Sequence, residues 1–79
     1  NPSTKVRFAL ADRGHVSVQI FDLKGRLVRT LVDAPLTAGE HEIQWNGTDD
    51  GGRTVASGTY LLRMSAPDVT ESRRLMLVK

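Results

Sequence analysis

No cysteine occurs among the 79 residues, so the chain has neither a disulfide framework nor a thiolate metal site. Aromatic side chains are few, and Trp45 and Tyr60 raise the question of a sugar-stacking surface. No apolar run approaches the roughly 20 residues needed to cross a bilayer, and nothing resembles a signal peptide. A marked excess of charge of one sign is also missing. The formal net charge of +2 is too small and too scattered to argue for nucleic acid as a partner. A helical stripe is absent throughout. What remains is short enough to require a single domain, because so few residues cannot divide their apolar side chains between two cores. The chain opens on Asn1 and not on Met, which reads as a piece of something longer.

The pattern that is present has a period of two. Val6, Phe8 and Leu10 alternate with Lys5, Arg7 and Ala9, and Val16, Val18 and Ile20 alternate with His15, Ser17 and Gln19. His41, Ile43 and Trp45 alternate with Glu40, Glu42 and Gln44, and Tyr60, Leu62 and Met64 lie opposite Leu61 and Arg63. Such alternation predicts half-buried strands with one face on a core and the other on water. The run from Arg26 to Val32 mixes parities, which predicts a bulge or a local twist. Gly25 falls where a hairpin turn between the second and third strands needs positive φ. The stretch from Val32 to Glu40, with a Pro and a Gly, reads as a longer crossing loop. Six strands are visible, and a short seventh is expected near Thr54 to Ala56. The spacing of strands and turns predicts an all-β, seven-stranded antiparallel immunoglobulin-like sandwich. Its expected core is Val6, Phe8, Val16, Val18, Ile20, Ile43, Trp45, Tyr60 and Leu62. No internal repeat stands out.

The stretch Trp45 to Arg53, WNGTDDGGR, carries the densest chemistry. Counting back from Gly51, a calcium loop would take oxygen donors from Asp50, Thr48 and Asn46. The bidentate acid should then fall at position 57, which is Ser57, and Asp49 lies out of phase. Asn, Asp, Thr and Gly are also the residues that build turns, so a structural turn is the stronger reading and no metal is expected. Catalysis has less support. Asp49 and Asp50 are adjacent and diverge in an extended loop, no nucleophile elbow is present, and His15 and His41 read as solvated and rim residues. The chain is therefore expected to be non-enzymatic and without a cofactor. Trp45 and Tyr60 lie on the apolar parity of their strands, so core positions are preferred over sugar stacking.

The end of the chain differs from the rest. Leu75, Met76, Leu77 and Val78 are apolar on both parities, flanked by Arg73, Arg74 and Lys79. Such a strand is buried on both faces or offers one face to a partner.

The order of these pieces, from "NPST.VRF.L" through "IFDL.GR.VRTL", "AG.H...W.GTDD.GR.VASGTYL.R" and "LMLVK", resembles the immunoglobulin-like domain family of the flagellar hook-capping protein. The resemblance covers nearly the whole chain. Its most specific part is Trp45, Gly47, Asp49 and Gly52 followed by Gly58 and Tyr60, which the resemblance implies is a structural signature. Similar domains end many secreted bacterial proteins, where they resemble type IX secretion sorting signals. That version implies a C-terminal domain spanning 1–79 of a longer secreted protein. It would present Arg73, Arg74, Leu75, Met76, Leu77, Val78 and Lys79 to the outer-membrane secretion machinery and carry an upstream cargo domain. The expected location is then the cell surface or the medium, after transit through the periplasm. Three other readings stay open: a carbohydrate-binding accessory module, a structural spacer beside an extracellular enzyme, and a domain of the hook-cap type.

Overall fold

The strands form where the alternation places them. The computed structural model describes residues 3–78, so Asn1, Pro2 and the expected site residue Lys79 lie outside the described residues. Six strands follow in order: β1 (Thr4–Leu10), β2 (Gly14–Phe21), β3 (Leu27–Leu36), β4 (Gly39–Trp45), β5 (Gly58–Ala66) and β6 (Val69–Leu77). All pairings are antiparallel, in a four-stranded sheet ordered β3-β2-β5-β6 and a two-stranded sheet ordered β1-β4.

The inward parity of five strands converges on one core: Val6, Phe8 and Leu10 from β1, Val16, Val18 and Ile20 from β2, and Trp45 from β4. Tyr60, Leu62 and Met64 come from β5, and Leu75 and Leu77 from β6. Eight of the nine expected core residues are buried. Ile43 is the exception; it is half-buried and packs against the cluster from one side. Strand β3 contributes only half-buried Val28, Leu31, Val32 and Leu36. The reason lies in its pairing with β2, where the register shifts between Val18 and Gln19 and again between Ile20 and Phe21. Each shift leaves an unmatched residue on β3 and turns the strand, as its mixed parity predicts.

Three expectations fail, each for a local reason. The seventh strand near Thr54 to Ala56 is reduced to a single bridge between Thr48 and Thr54. There the Val55 amide donates to Gly47 O at 2.9 Å and Asp49 N donates to Arg53 O at 2.9 Å, so this segment is tied to its own loop and not to a neighbouring strand. The crossing loop expected from Val32 to Glu40 is mostly strand, because β3 runs through Pro35 to Leu36 at the edge of the sheet, where a missing amide costs little. Finally, the apolar run at the end of the chain is not buried on both faces. Leu75 and Leu77 are buried, while Met76 and Val78 are 61% and 72% exposed.

Candidate functional site

Trp45 ends β4 with its ring in the core, 1% exposed, and Tyr60 at the start of β5 is 8% exposed. The two rings meet edge to face, with centroids 5.1 Å apart and planes at 73°. Each keeps its polar tip satisfied, as buried Trp and Tyr require. Trp45 Nε1 donates to Thr48 O at 2.9 Å, and Tyr60 Oη donates to Ala56 O at 2.6 Å. The second bond ties the tyrosine to the backbone four residues upstream, as a tyrosine corner does. No ring face is left for a pyranose, which removes the sugar-stacking reading of this pair.

The loop between them is held by its own side chains. Asp49 Oδ1 accepts from the amides of Gly51 at 3.0 Å and Arg53 at 2.9 Å, while Oδ2 lies 3.6 Å from Arg53 Nε. Asp50 Oδ1 reaches across to accept from Thr30 N at 3.0 Å, and its own amide donates to Val28 O at 3.1 Å. Thr48 Oγ1 donates to Asn46 Oδ1 at 2.7 Å and accepts from Arg29 Nη1. The oxygens of the half-filled calcium frame therefore serve amides, a hydroxyl and a guanidinium of the protein. Ser57 supplies no carboxylate at the closing position. Among the described residues, no group of three acidic or histidine side chains converges as metal ligands.

A second turn repeats this construction. In Asp22-Leu23-Lys24-Gly25-Arg26, Asp22 N donates to Arg26 O at 3.0 Å and Gly25 N donates to Asp22 O at 3.0 Å. Asp22 Oδ1 accepts from the amides of Lys24 and Arg26, at 2.9 and 3.0 Å, and Oδ2 lies 3.0 Å from Arg26 Nε. Asp49 to Arg53 makes the same set of bonds, with Gly52 N donating to Asp49 O at 3.0 Å. Gly25 has φ +88° and Gly52 φ +83°. The D-x-x-G-R repeat is legible in the sequence as DLKGR and DDGGR, but it is too short to register as a repeat until the bonds are seen. Both turns line an open groove of about 480 Å3 with Val28 and Tyr60. The Asp22 carboxyl is held below its ordinary pKa chiefly by the Arg26 amide; desolvation opposes this as the next largest effect, and the Arg26 guanidinium and the Lys24 amide add to the lowering. A carboxyl held ionised in this way is an acceptor and a poor general acid.

The described residues expected to form a site on the last strand do not share one face. Arg73 is half-buried and works inside the fold: its Nε donates to Glu71 Oε1 at 2.8 Å and its Nη1 to Arg7 O at 3.1 Å, which joins β6 to β1 across the two sheets. The same contact lowers the pKa of Glu71. Leu75 and Leu77 are core residues, whereas Arg74, Met76 and Val78 face solvent. The histidines have structural surroundings. His15 Nε2 lies 2.6 Å from Asp33 Oδ1, and His41 stacks on Phe8 at 5.4 Å with Nε2 2.7 Å from Thr37 O. A second open groove, also about 480 Å3, runs over Phe8 and His41 beside the Arg7–Glu42 pair.

Antiparallel sheets around one core, a tyrosine corner and a loop whose polar groups serve its own turn define an immunoglobulin-like domain. The profile of the FlgD Ig-like domain matches residues 2–69, and the chain belongs to that family. Over 51 residues it is 41% identical to the basal-body rod modification protein FlgD of Salmonella typhimurium and, equally, to that of Escherichia coli K12. The match covers 65% of this chain and 22% of each relative, so the chain spans about a fifth of their length. Among solved structures, FlgD from P. aeruginosa superposes with a TM-score of 0.73 at 25% identity, covering 95% of this chain and 59% of that one. FlgD from Xanthomonas campestris, described for the hook capping essential for flagellar assembly, gives 0.73 at 30% identity, covering 96% and 56%.

These similarities overturn the expected sorting function. They run to FlgD, a flagellar protein, and not to a type IX sorting domain. The outer-membrane secretion machinery and an upstream cargo fall with it as partners. The terminal residues on which that reading rested are, in Arg73, Leu75 and Leu77, parts of the packed fold.

Proposed function

We propose that this chain is a non-catalytic structural domain of a hook-capping scaffold of the FlgD type, working within a flagellar assembly outside the cytoplasm. Its two sheets are read as the layers of an immunoglobulin-like sandwich, carried by a longer chain. The observation that carries the reading is the family match over residues 2–69, which takes in both D-x-x-G-R turns, Trp45 and Tyr60. Two features of the site support a structural role. The carboxylates of the conspicuous loop serve the backbone and Arg53, and the two aromatics are buried against each other. Such a domain contributes shape and rigid attachment points, with no reacting group to present.

The test is a domain exchange. The Ig-like domain of Salmonella FlgD is replaced by residues 1–79 in a strain lacking its own copy. Hooks are counted by electron microscopy and swarm diameter is measured. Restored hooks are the expected result. A chimera that is folded and present at normal levels, yet leaves the cells without hooks, would overturn the proposal.

A further inference from the structure

The outer face of the four-stranded sheet carries a row that the core does not use. Register places Leu27 opposite Phe21, Phe21 opposite Leu61, and Leu61 opposite Arg74, one residue from each of β3, β2, β5 and β6. All four lie on the solvent side of their strands. Leu27 is 47% exposed, Leu61 36% and Met76, in the next row, 61%. Phe21 is half-buried but stands outside the core cluster. A shallow groove of about 260 Å3 opens at the Phe21 and Leu61 part of this row, lined also by Gly25, Leu62, Arg63 and Ser72.

Beside the apolar row sits a concentration of positive charge. Arg63 pairs with Ser72, and Arg74 lies two residues further along β6 on the same face, so the two arginines are diagonal neighbours, about 7–8 Å apart and somewhat less at Cβ. Among the described residues, neither makes an ion pair or a side-chain hydrogen bond. Arg7, Arg26, Arg53 and Arg73, by contrast, each sit against a carboxylate. Two unpaired guanidiniums around a serine hydroxyl form a fork for one carboxylate, and the adjacent leucine and phenylalanine offer apolar contact.

We infer that this face is a docking surface for an acidic, extended protein segment of a partner, with a carboxylate between Arg63 and Arg74 and an apolar side chain on Phe21 and Leu61. Charge complementarity selects the occupant: a basic segment is repelled, and a purely anionic polymer gains nothing from the apolar row. The inference is independent of the scaffold reading, because it rests on the face of the domain alone.

The test uses the 79-residue chain and two labelled synthetic peptides of equal length, one alternating Glu and Leu and one alternating Lys and Leu. Binding is read by fluorescence anisotropy and mapped by amide chemical shifts. The expected result is binding of the acidic peptide, weakened by added salt, with shifts at Phe21, Leu61, Ser72 and Arg74. The Arg63→Gln/Arg74→Gln variant should bind about tenfold more weakly, as expected for the loss of two exposed charge contacts. Leu61→Thr, which keeps a strand-forming residue, should weaken binding separately. Both variants should retain the wild-type dispersion of amide shifts, since the substitutions are on the surface. Equal binding of the two peptides, shifts confined to the β1–β4 sheet, or no binding of the acidic peptide would sink the inference. So would inorganic polyphosphate binding as tightly as the acidic peptide with no response to Leu61→Thr, which would mark a general anion site.

Discussion

Asp22 and Asp49 hold equivalent places in two turns that are 27 positions apart in the chain, each accepting two backbone amides and facing the arginine four residues on. In both turns the fourth residue is a glycine at positive φ, with open space where a β-carbon would go. The only penalty for a side chain there is the left-handed backbone itself, about 1–2 kcal/mol. Gly25→Ala and Gly52→Ala should therefore cost similar amounts in urea unfolding, and Asn at either position should cost less. A large difference between the two alanine variants would mean that the turns are not mechanically equivalent.

Gly47 should respond more strongly. It has φ +77°, and a β-carbon there would lie 3.2 Å from both Leu77 methyl carbons. Gly47→Ala therefore adds overpacking of about 1–3 kcal/mol to the backbone penalty. Adding Leu77→Val to Gly47→Ala removes part of the clash and leaves the backbone term. The expected double-mutant coupling is favourable, and strict additivity would show that Leu77 does not set the constraint.

This contact also shows what the sequence could and could not reveal. Strict alternation in β1, β2 and β5 marks their inward faces, so Val6, Val18 and Leu62 are legible as core without coordinates. The mixed parity of β3 announces its bulges. The last strand misleads because four consecutive apolar residues erase the alternation; only pairing with β5 separates buried Leu75 and Leu77 from exposed Met76. In the loop, residue types identify a turn, but the partner of each carboxylate is set by tertiary approach. Nothing local to Asp50 indicates that it will hold Thr30, 20 residues away. Leu61 is an apolar residue on the polar parity of its strand, and the alternation alone gives no account of it.

Arg73 and Arg74 are neighbours with opposite consequences for stability. Arg73 joins Glu71 to the carbonyl of Arg7, so Arg73→Gln should lower stability by about 1 kcal/mol, the usual net size of one hydrogen bond, since the contact to Arg7 O is exposed. Arg74→Gln should stay within about 0.5 kcal/mol of wild type, as a substitution on an open surface does. Chemical denaturation of both variants checks the pair. Equal losses would contradict the placement of Arg73 between the sheets.

Trp45 is the sole tryptophan, so its fluorescence reports on the core directly. Emission should be blue-shifted in the native state and move to the red in the unfolding transition. Tyr60→Phe removes the bond to Ala56 O while keeping the ring against Trp45, and should cost about 0.5–1.5 kcal/mol with the native emission maximum unchanged. A shifted maximum would show that the hydroxyl, and not the ring contact, positions Trp45.

Two carboxyls give the domain an acid-sensitive component. Asp22 is held below its ordinary pKa chiefly by the Arg26 amide, and Glu71 chiefly by the hydrogen bond from Arg73. A pKa that is lower in the folded than in the unfolded chain contributes stability above the unfolded value, and that contribution is lost as pH falls through the folded value. The window therefore lies from about pH 4 downward, with these two groups adding no slope near neutrality. Melting temperatures of wild type and of Asp22→Asn should differ at neutral pH and converge as the buffer is made more acidic, and Glu71→Gln should behave the same way. The convergence follows because protonation removes from the wild type the same ionic acceptor that the amide variant lacks. Curves that run parallel down to the acid limit would show that neither carboxyl is stabilised by its charge in the fold.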